Sequence, residues 1–226
     1  MRVFILITFI PLLGFTQLQF NDIIYNENKY DIIVFEENKI AQINYTPSIL
    51  NDSIDSAKTI INLFPVDINC QPIGLLINDG KKFNSINNNS GNGNFFLKPN
   101  AVFIKEKSGK VKIVESVDFK FKSNIDFAFQ SGPALILKSK IHPKFNYFSS
   151  NLSYRSGIGI REINGVKQII LAVSKQPVNL FDFSEMFLNR FQCSNAVSLQ
   201  SGNTFLIHNK KPWSSNSIMG NCGALC

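Results

Sequence analysis

The chain has little of what usually announces a function. Its 226 residues include only two histidines, four cysteines and no P-loop-type phosphate cradle. No internal repeat or linker divides it. With no histidine near a cysteine and no zinc-type spacing, a metal centre is disfavoured, and no cofactor motif is present. No basic stripe is interleaved with aromatics on a recognisable module, which argues against nucleic acid as a partner. Nor is any hydrophobic run long enough to cross a bilayer comfortably. The longest one near the start, Val3 to Phe15, follows Arg2 and meets polar Gln17 and Gln19 at once. That pattern predicts a cleaved secretory signal over residues 1–16 rather than a membrane anchor. No cysteine follows the run, which argues against a lipid-anchored form. The expected product is an exported protein, periplasmic or secreted, with one domain over 17–226 and no stable membrane span.

What is present describes a globular domain. Hydrophobic residues make up 44% of the chain, enough for a buried core, and 21 phenylalanines recur at helix and strand spacing to fill it. Charge is uneven. Residues 17–70 carry three Lys/Arg against eight Asp/Glu, and residues 71–226 carry nineteen against eight. The basic part suits either a lysine-rich solvated surface or a mild bias toward anionic partners. In an oxidising compartment Cys70, Cys193, Cys222 and Cys226 are disulfide candidates, with three pairings open.

β-Branched runs predict strands at Tyr30–Phe35, Thr59–Phe64, Ile73–Ile77 and Val111–Val114. They predict more at Ile125–Gln130, Ala134–Leu137, Ala196–Leu199 and Thr204–Ile207. Phe95 to Phe103 continues the strand pattern around Pro99, and Asn84 to Asn94 is a loop. Asp79-Gly80 and Asn164-Gly165 are hairpin turns, the latter joining Gly157–Ile163 to Val166–Val173. Ser48–Lys58 is predicted as a short helix. A longer helix follows Asn179, its cap, with Leu180, Phe183, Phe187 and Phe191 on one face. The fold class is α+β: one domain rich in antiparallel or mixed strands, with a few flanking helices.

The chemistry-bearing tracts are Gln130-Ser131-Gly132-Pro133, Ile141-His142-Pro143-Lys144-Phe145 and Arg155-Ser156-Gly157-Ile158-Gly159. Small residues interrupt two apolar strands, with one fixed cation beside the second interruption. Backbone approaches an anionic ligand closely in such places, and amides near Gly132 and Gly157 then add donors to a guanidinium. Each element also has a plainer reading. Arg155 suits a surface ion pair, Ser131 a turn, and His142 a structural loop position. His208 carries no functional signal.

These tracts, with Gly93-Asn94-Phe95-Phe96-Leu97-Lys98-Pro99-Asn100 and Pro177-Val178-Asn179, resemble the exported bacterial branch of the phosphodiester glycosidase family. The likeness spans roughly residues 59 to 207 and covers order as well as spacing. It implies hydrolysis of a sugar 1-phosphodiester, with a sugar phosphodiester or anionic glycan as partner. Arg155 is then the phosphate clamp, and Asn62, Ser131, Gly132, Gly157 and Gln200 are substrate-binding positions. The pattern departs from the family in three places. Asn62 is followed by Leu63 and Phe64 where small residues are usual. Ser156 replaces an asparagine. Gln200, in Leu199-Gln200-Ser201, stands where the family has the aspartate of Leu-Asp-Gly. A glutamine neither transfers a proton nor supplies a carboxylate's charge. Two readings follow: a hydrolase that recruits another carboxylate such as Asp67 or Asp182, or a member that binds glycans without cleaving them.

Overall fold

A computed structural model describes residues 19–40, 42–46, 59–61, 65–67, 71–202, 204–208, 211–214 and 223–225. In chain order, β1 (Gln19–Tyr25), β2 (Asn28–Glu36), β3 (Asn44–Thr46) and β4 (Thr59–Ile61) come first. Next are β5 (Leu76–Asn78), β6 (Lys81–Asn84), β7 (Ala101–Glu106), β8 (Val111–Glu115) and β9 (Ile125–Ser131). Then follow β10 (Ala134–Leu137), β11 (Lys140–Ile141), β12 (Arg155–Ile163), β13 (Val166–Ser174) and the helix α1 (Leu180–Glu185). The last strands are β14 (Asn195–Ser201), β15 (Phe205–His208), β16 (Lys211–Ser214) and β17 (Gly223–Leu225).

The strands form three sheets. One has seven strands in the order β1-β2-β13-β12-β14-β10-β11. Two have five, ordered β6-β5-β9-β7-β8 and β16-β15-β4-β17-β3. Every strand pairing among the described residues is antiparallel.

Alternation along the central strands sorts side chains between two cores. Ile33 and Phe35 of β2, with Ile169, Leu171 and Val173 of β13, pack onto Phe103, Phe127 and Phe129 of the facing sheet. Their neighbours Tyr30, Ile32, Ile170 and Ala172 point the other way, toward Phe183 and Phe187. The seven-stranded sheet is therefore sandwiched between a second sheet and the helix. Full burial of such aromatic and branched side chains stabilises the fold by roughly 1.5–3 kcal/mol each.

The helix is capped as its sequence predicts, Asn179 Oδ1 accepting from the Asp182 amide at 2.8 Å. It does not run on as one α-helix, however. After Glu185 the chain widens into a π-helical turn over Met186–Arg190. The wider turn accompanies burial of both Met186 and Phe187, adjacent residues that a regular helix turns about 100° apart.

The two hairpin turns form where expected, with positive φ at Asp79-Gly80 and at Asn164-Gly165. The Phe95–Phe103 expectation is corrected. Asn94–Phe96 is a 3₁₀ turn, the Lys98–Pro99 bond is cis, and the strand begins only at Ala101. Asn100 causes the fold-back, its Nδ2 donating to the Phe95 carbonyl at 2.6 Å. Antiparallel β-structure dominates, and α1 with its π-helical extension is the one helix of more than a single turn among the described residues. The expected helix at Ser48–Lys58 lies outside them, as do residues 1–16, Asn62, Leu63 and Phe64.

Candidate functional site

β12 begins at Arg155, which pairs with Ser201 of β14, and the next residue, Ser156, pairs with Val173 of β13. With strands on both sides of β12, even its first residue is interior: Arg155 is 1% exposed. The backbone amide donates to Ser174 Oγ at 2.8 Å. The guanidinium donates from Nε to the Val178 carbonyl (3.2 Å), from Nη1 to Ser201 Oγ (3.2 Å) and from Nη2 to the Asn151 carbonyl (3.0 Å). A guanidinium has five N–H groups, so, among the described residues, one is left without a partner on each terminal nitrogen.

No carboxylate among the described residues lies within ion-pairing distance of it. Burial without a counter-ion pushes its pKa down to about 10, which still leaves it cationic at neutral pH. The surface ion pair that Arg155 also suited is therefore not what forms.

The guanidinium lies in the wall of a cleft of about 130 Å³. Asn94, Lys144, Phe145, Asn146, Asn151 and Phe181 are among its lining. Lys144 supplies a second cation, three asparagines supply amides, and two phenylalanines supply apolar walls. Behind Phe145, His142 is stacked on it with ring centroids 4.5 Å apart. His142 Nδ1 accepts from the Lys144 amide at 3.2 Å, and its buried Nε2 completes no hydrogen bond. Burial lowers its pKa, an effect partly offset by the nearby Leu97 and Lys98 carbonyls. It braces the wall of the cleft rather than lining it.

The other expected site residues are elsewhere. Gln130 is consumed by structure: Oε1 accepts from the amides of Leu75 and Asn87, and Nε2 donates to the Asn87 carbonyl and Ser116 Oγ. Ser131 Oγ donates to the Ser198 carbonyl at 2.6 Å, tying one sheet to the other. Gly132 is small because Asn100 presses on it; a Cβ there would come within 2.6 Å of Asn100 Cγ. Gly157 is small because Phe183 and Phe187 of the helix lie against it, 2.9–3.1 Å from where a Cβ would stand. Neither glycine lines the Arg155 cleft.

Gln200 is displaced by a β-bulge. Between the pairs Arg155↔Ser201 and Gly157↔Ser198, β14 has one more residue than β12. Ser201 thereby comes opposite Arg155 and accepts its bond. Gln200 gives only its carbonyl, to Ser156 Oγ at 2.8 Å. Asp67 is exposed and accepts from the Gln71 amide, and Asp182 sits in the first turn of α1; neither lines the cleft. His208 is in β15, in a different sheet.

Cys193 is a free buried thiol, not half of a disulfide. It packs at Gly159, where a Cβ would be 2.8 Å from its Sγ, and burial pushes its pKa up to about 12. Cys70, Cys222 and Cys226 lie outside the described residues. Among the described residues no three His, Cys, Asp or Glu side chains are grouped to hold a metal ion.

Reading the sequence alone missed Asn151 and Ser201 as partners of Arg155. Asn151 acts through its carbonyl, which every residue possesses, so no signal was available. Ser201 required knowledge of the bulge.

Comparison with known proteins bears on the fold and the family. A protein of Escherichia coli (strain K12) described as uncharacterized protein YigE is 35% identical over 113 residues, half of this chain and 43% of its own length. The matched part is thus well under half of that relative. The catalytic domain of zebrafish N-acetylglucosamine-1-phosphodiester alpha-N-acetylglucosaminidase, auto-inhibited by its pro-peptide, has a similar fold with TM-score 0.57. It is 16% identical, over 93% of this chain and 81% of that one. A hypothetical protein from Synechocystis is similar at TM-score 0.56 and 14% identity, over 92% of this chain and 61% of that one. The sequence model of the phosphodiester glycosidase family matches residues 49–205. With more than half of its length matched, the chain belongs to the phosphodiester glycosidase family.

Proposed function

We propose that the cleft at Arg155 recognises a sugar 1-phosphodiester. One observation carries the reading: among the described residues, a buried guanidinium with no counter-ion keeps one unused N–H on each terminal nitrogen beside an open cleft. An isolated buried charge is costly, and an anion that arrives with two acceptor oxygens relieves that cost. A phosphodiester brings a single delocalised charge and two such oxygens. Lys144 adds a further cation, while Asn94 and Asn146 offer amides suited to sugar hydroxyls.

Binding without cleavage is the form this geometry supports best, because no carboxylate among the described residues lines the cleft. Hydrolysis is the second reading, favoured by family membership. Calorimetry with a panel of sugar 1-phosphodiesters tests the first. Affinity that survives unchanged in Arg155→Met overturns it. Turnover of a chromogenic sugar 1-phosphodiester tests the second. Activity in the parent, lost in Arg155→Met, establishes hydrolysis; an inactive parent with activity gained in Gln200→Asp establishes a member that has lost catalysis.

Export is part of the same proposal, supported by Arg2 and the apolar run from Val3 to Phe15. N-terminal sequencing of the protein from fractionated cells, expected to begin near Gln17, checks it.

A further inference from the structure

The rim of the Arg155 cleft is apolar where a rim is ordinarily polar. Tyr147 is 56% exposed, Phe148 86% and Leu152 56%. All three lie within six residues of one another, in the segment that supplies Phe145, Asn146 and Asn151 to the cleft. Three large apolar side chains held in water beside a ligand site mark an interaction surface.

Their exposure is built in. The Tyr147 carbonyl accepts from Asn179 Nδ2 at 3.1 Å, and the Phe148 amide donates to Asn146 Oδ1 at 2.9 Å. The Ser149 amide donates to the Asn146 carbonyl, and the Asn151 amide to Ser149 Oγ. The rim is continuous with the cleft as well. Phe181, in the cleft wall, meets Tyr147 edge to face at 5.7 Å, and Tyr147 meets Phe148 at 5.0 Å. On the other side, Leu152 directly follows Asn151, whose carbonyl holds the guanidinium. Residues 141–156 include His142, Lys144 and Arg155 but no aspartate or glutamate. A cationic recess is therefore bordered by a segment that carries three exposed apolar side chains and no acidic group.

A molecule that complements both halves carries an anion joined to a hydrocarbon. We infer that the phosphodiester recognised here is amphiphilic, with an alkyl or polyprenyl-type chain as its aglycone, seated on Tyr147, Phe148 and Leu152. The inference rests on the phosphodiester reading of the cleft and names the other half of the ligand. The charge of the phosphate meets Arg155 and Lys144, and the first methylenes beyond it pass over Phe181 to the rim.

The test is calorimetric titration with two esters of one sugar 1-phosphate, methyl and decyl, both kept below micelle-forming concentrations. The parent is expected to bind the decyl ester at least about tenfold more tightly, since a few buried methylenes suffice for that. In the double variant Phe148→Ser/Leu152→Ser the preference falls to near one and the methyl affinity is unchanged. Both side chains are exposed, so the thermal midpoint of this variant should match the parent and verify its fold. Equal affinity for the two esters in the parent overturns the inference and leaves the phosphodiester reading intact. Equal affinity together with self-association that the double variant abolishes overturns it too, and assigns the rim to a second copy of the chain. Binding of neither ester by the parent overturns the phosphodiester reading, and the inference with it.

Discussion

At the corner from Gln130 to Pro133 the polar groups are spent inside the protein, whereas at Arg155 a charge is left partly unspent. Gln130 makes four hydrogen bonds and Ser131 one, all to the chain itself. Gly132 yields its space to Asn100. Arg155 is as deeply buried, yet it has three partners for five donors and no counter-charge within reach among the described residues. Both tracts combine a polar residue with glycine at a strand end. Incomplete satisfaction, rather than small size or close backbone, separates the proposed binding position from the structural one.

Substitutions sharpen that contrast. Gln130→Leu strands the buried amide of Leu75 and the part-buried amide and carbonyl of Asn87. It should lower stability by about 3 kcal/mol in denaturant titration while leaving Arg155 in place. Arg155→Met should show the reverse: a loss of about hundredfold in phosphodiester affinity by calorimetry, the scale of two charge-assisted bonds. If Gln130→Leu weakened binding as strongly as Arg155→Met at full folding, the two tracts would form one site and the contrast would fail.

The glycines test it next. Gly132→Ala drives a methyl into the Asn100 side chain, which is itself tethered to the Phe95 carbonyl, and should cost about 2 kcal/mol. Gly157→Ala meets the rims of two phenylalanine rings that have more room to shift, and about 1 kcal/mol is expected. Neither should alter affinity by more than about twofold once the protein is folded.

Asp31 supplies a compensated buried charge for comparison. It is 1% exposed, 3.6 Å from the Lys175 ammonium, and burial raises its pKa to about 7 despite that partner. The folded state holds the proton more tightly than the unfolded chain. Its contribution is therefore full below about pH 4 and declines as pH rises toward 7. Asp31→Asn should remove this slope, so that the variant gains steadily on the parent as pH rises from about 4 to about 7 in thermal or urea unfolding. Parallel stability curves for the two proteins would contradict it.

The strands that form the central sheet were legible because their apolar runs are long and β-branched: Tyr30–Phe35, Gly157–Ile163 and Val166–Val173 all fall within observed strands. Two turns were legible because glycine tolerates positive φ. A third, at Asn26-Glu27, was not, since glutamate gives no hint that it will adopt φ 64°. β1, which that turn connects, went unread for a related reason. An edge strand need bury only one side, so its half-polar sequence lacks a clear period.

At the site, Arg155 was legible as a lone fixed cation, while the neighbours of the glycines around it were not. A glycine's sequence signature is the same whether the space it leaves holds a ligand, an asparagine or a phenylalanine ring. The place of Gln200 was not legible either: one extra residue in β14 changes which side chain meets Arg155, and no residue type announces it.

The three bonds that hold the guanidinium bear on the timing of recognition. They tie Arg155 to the chain at Asn151, Val178 and Ser201, three separate segments, so the side chain is already fixed in one pose. A ligand arriving there has no arginine rotamer to freeze and no loop to gather around it. Anions of one charge and size should then associate at closely similar rates. Preference among them will be written in how long each stays.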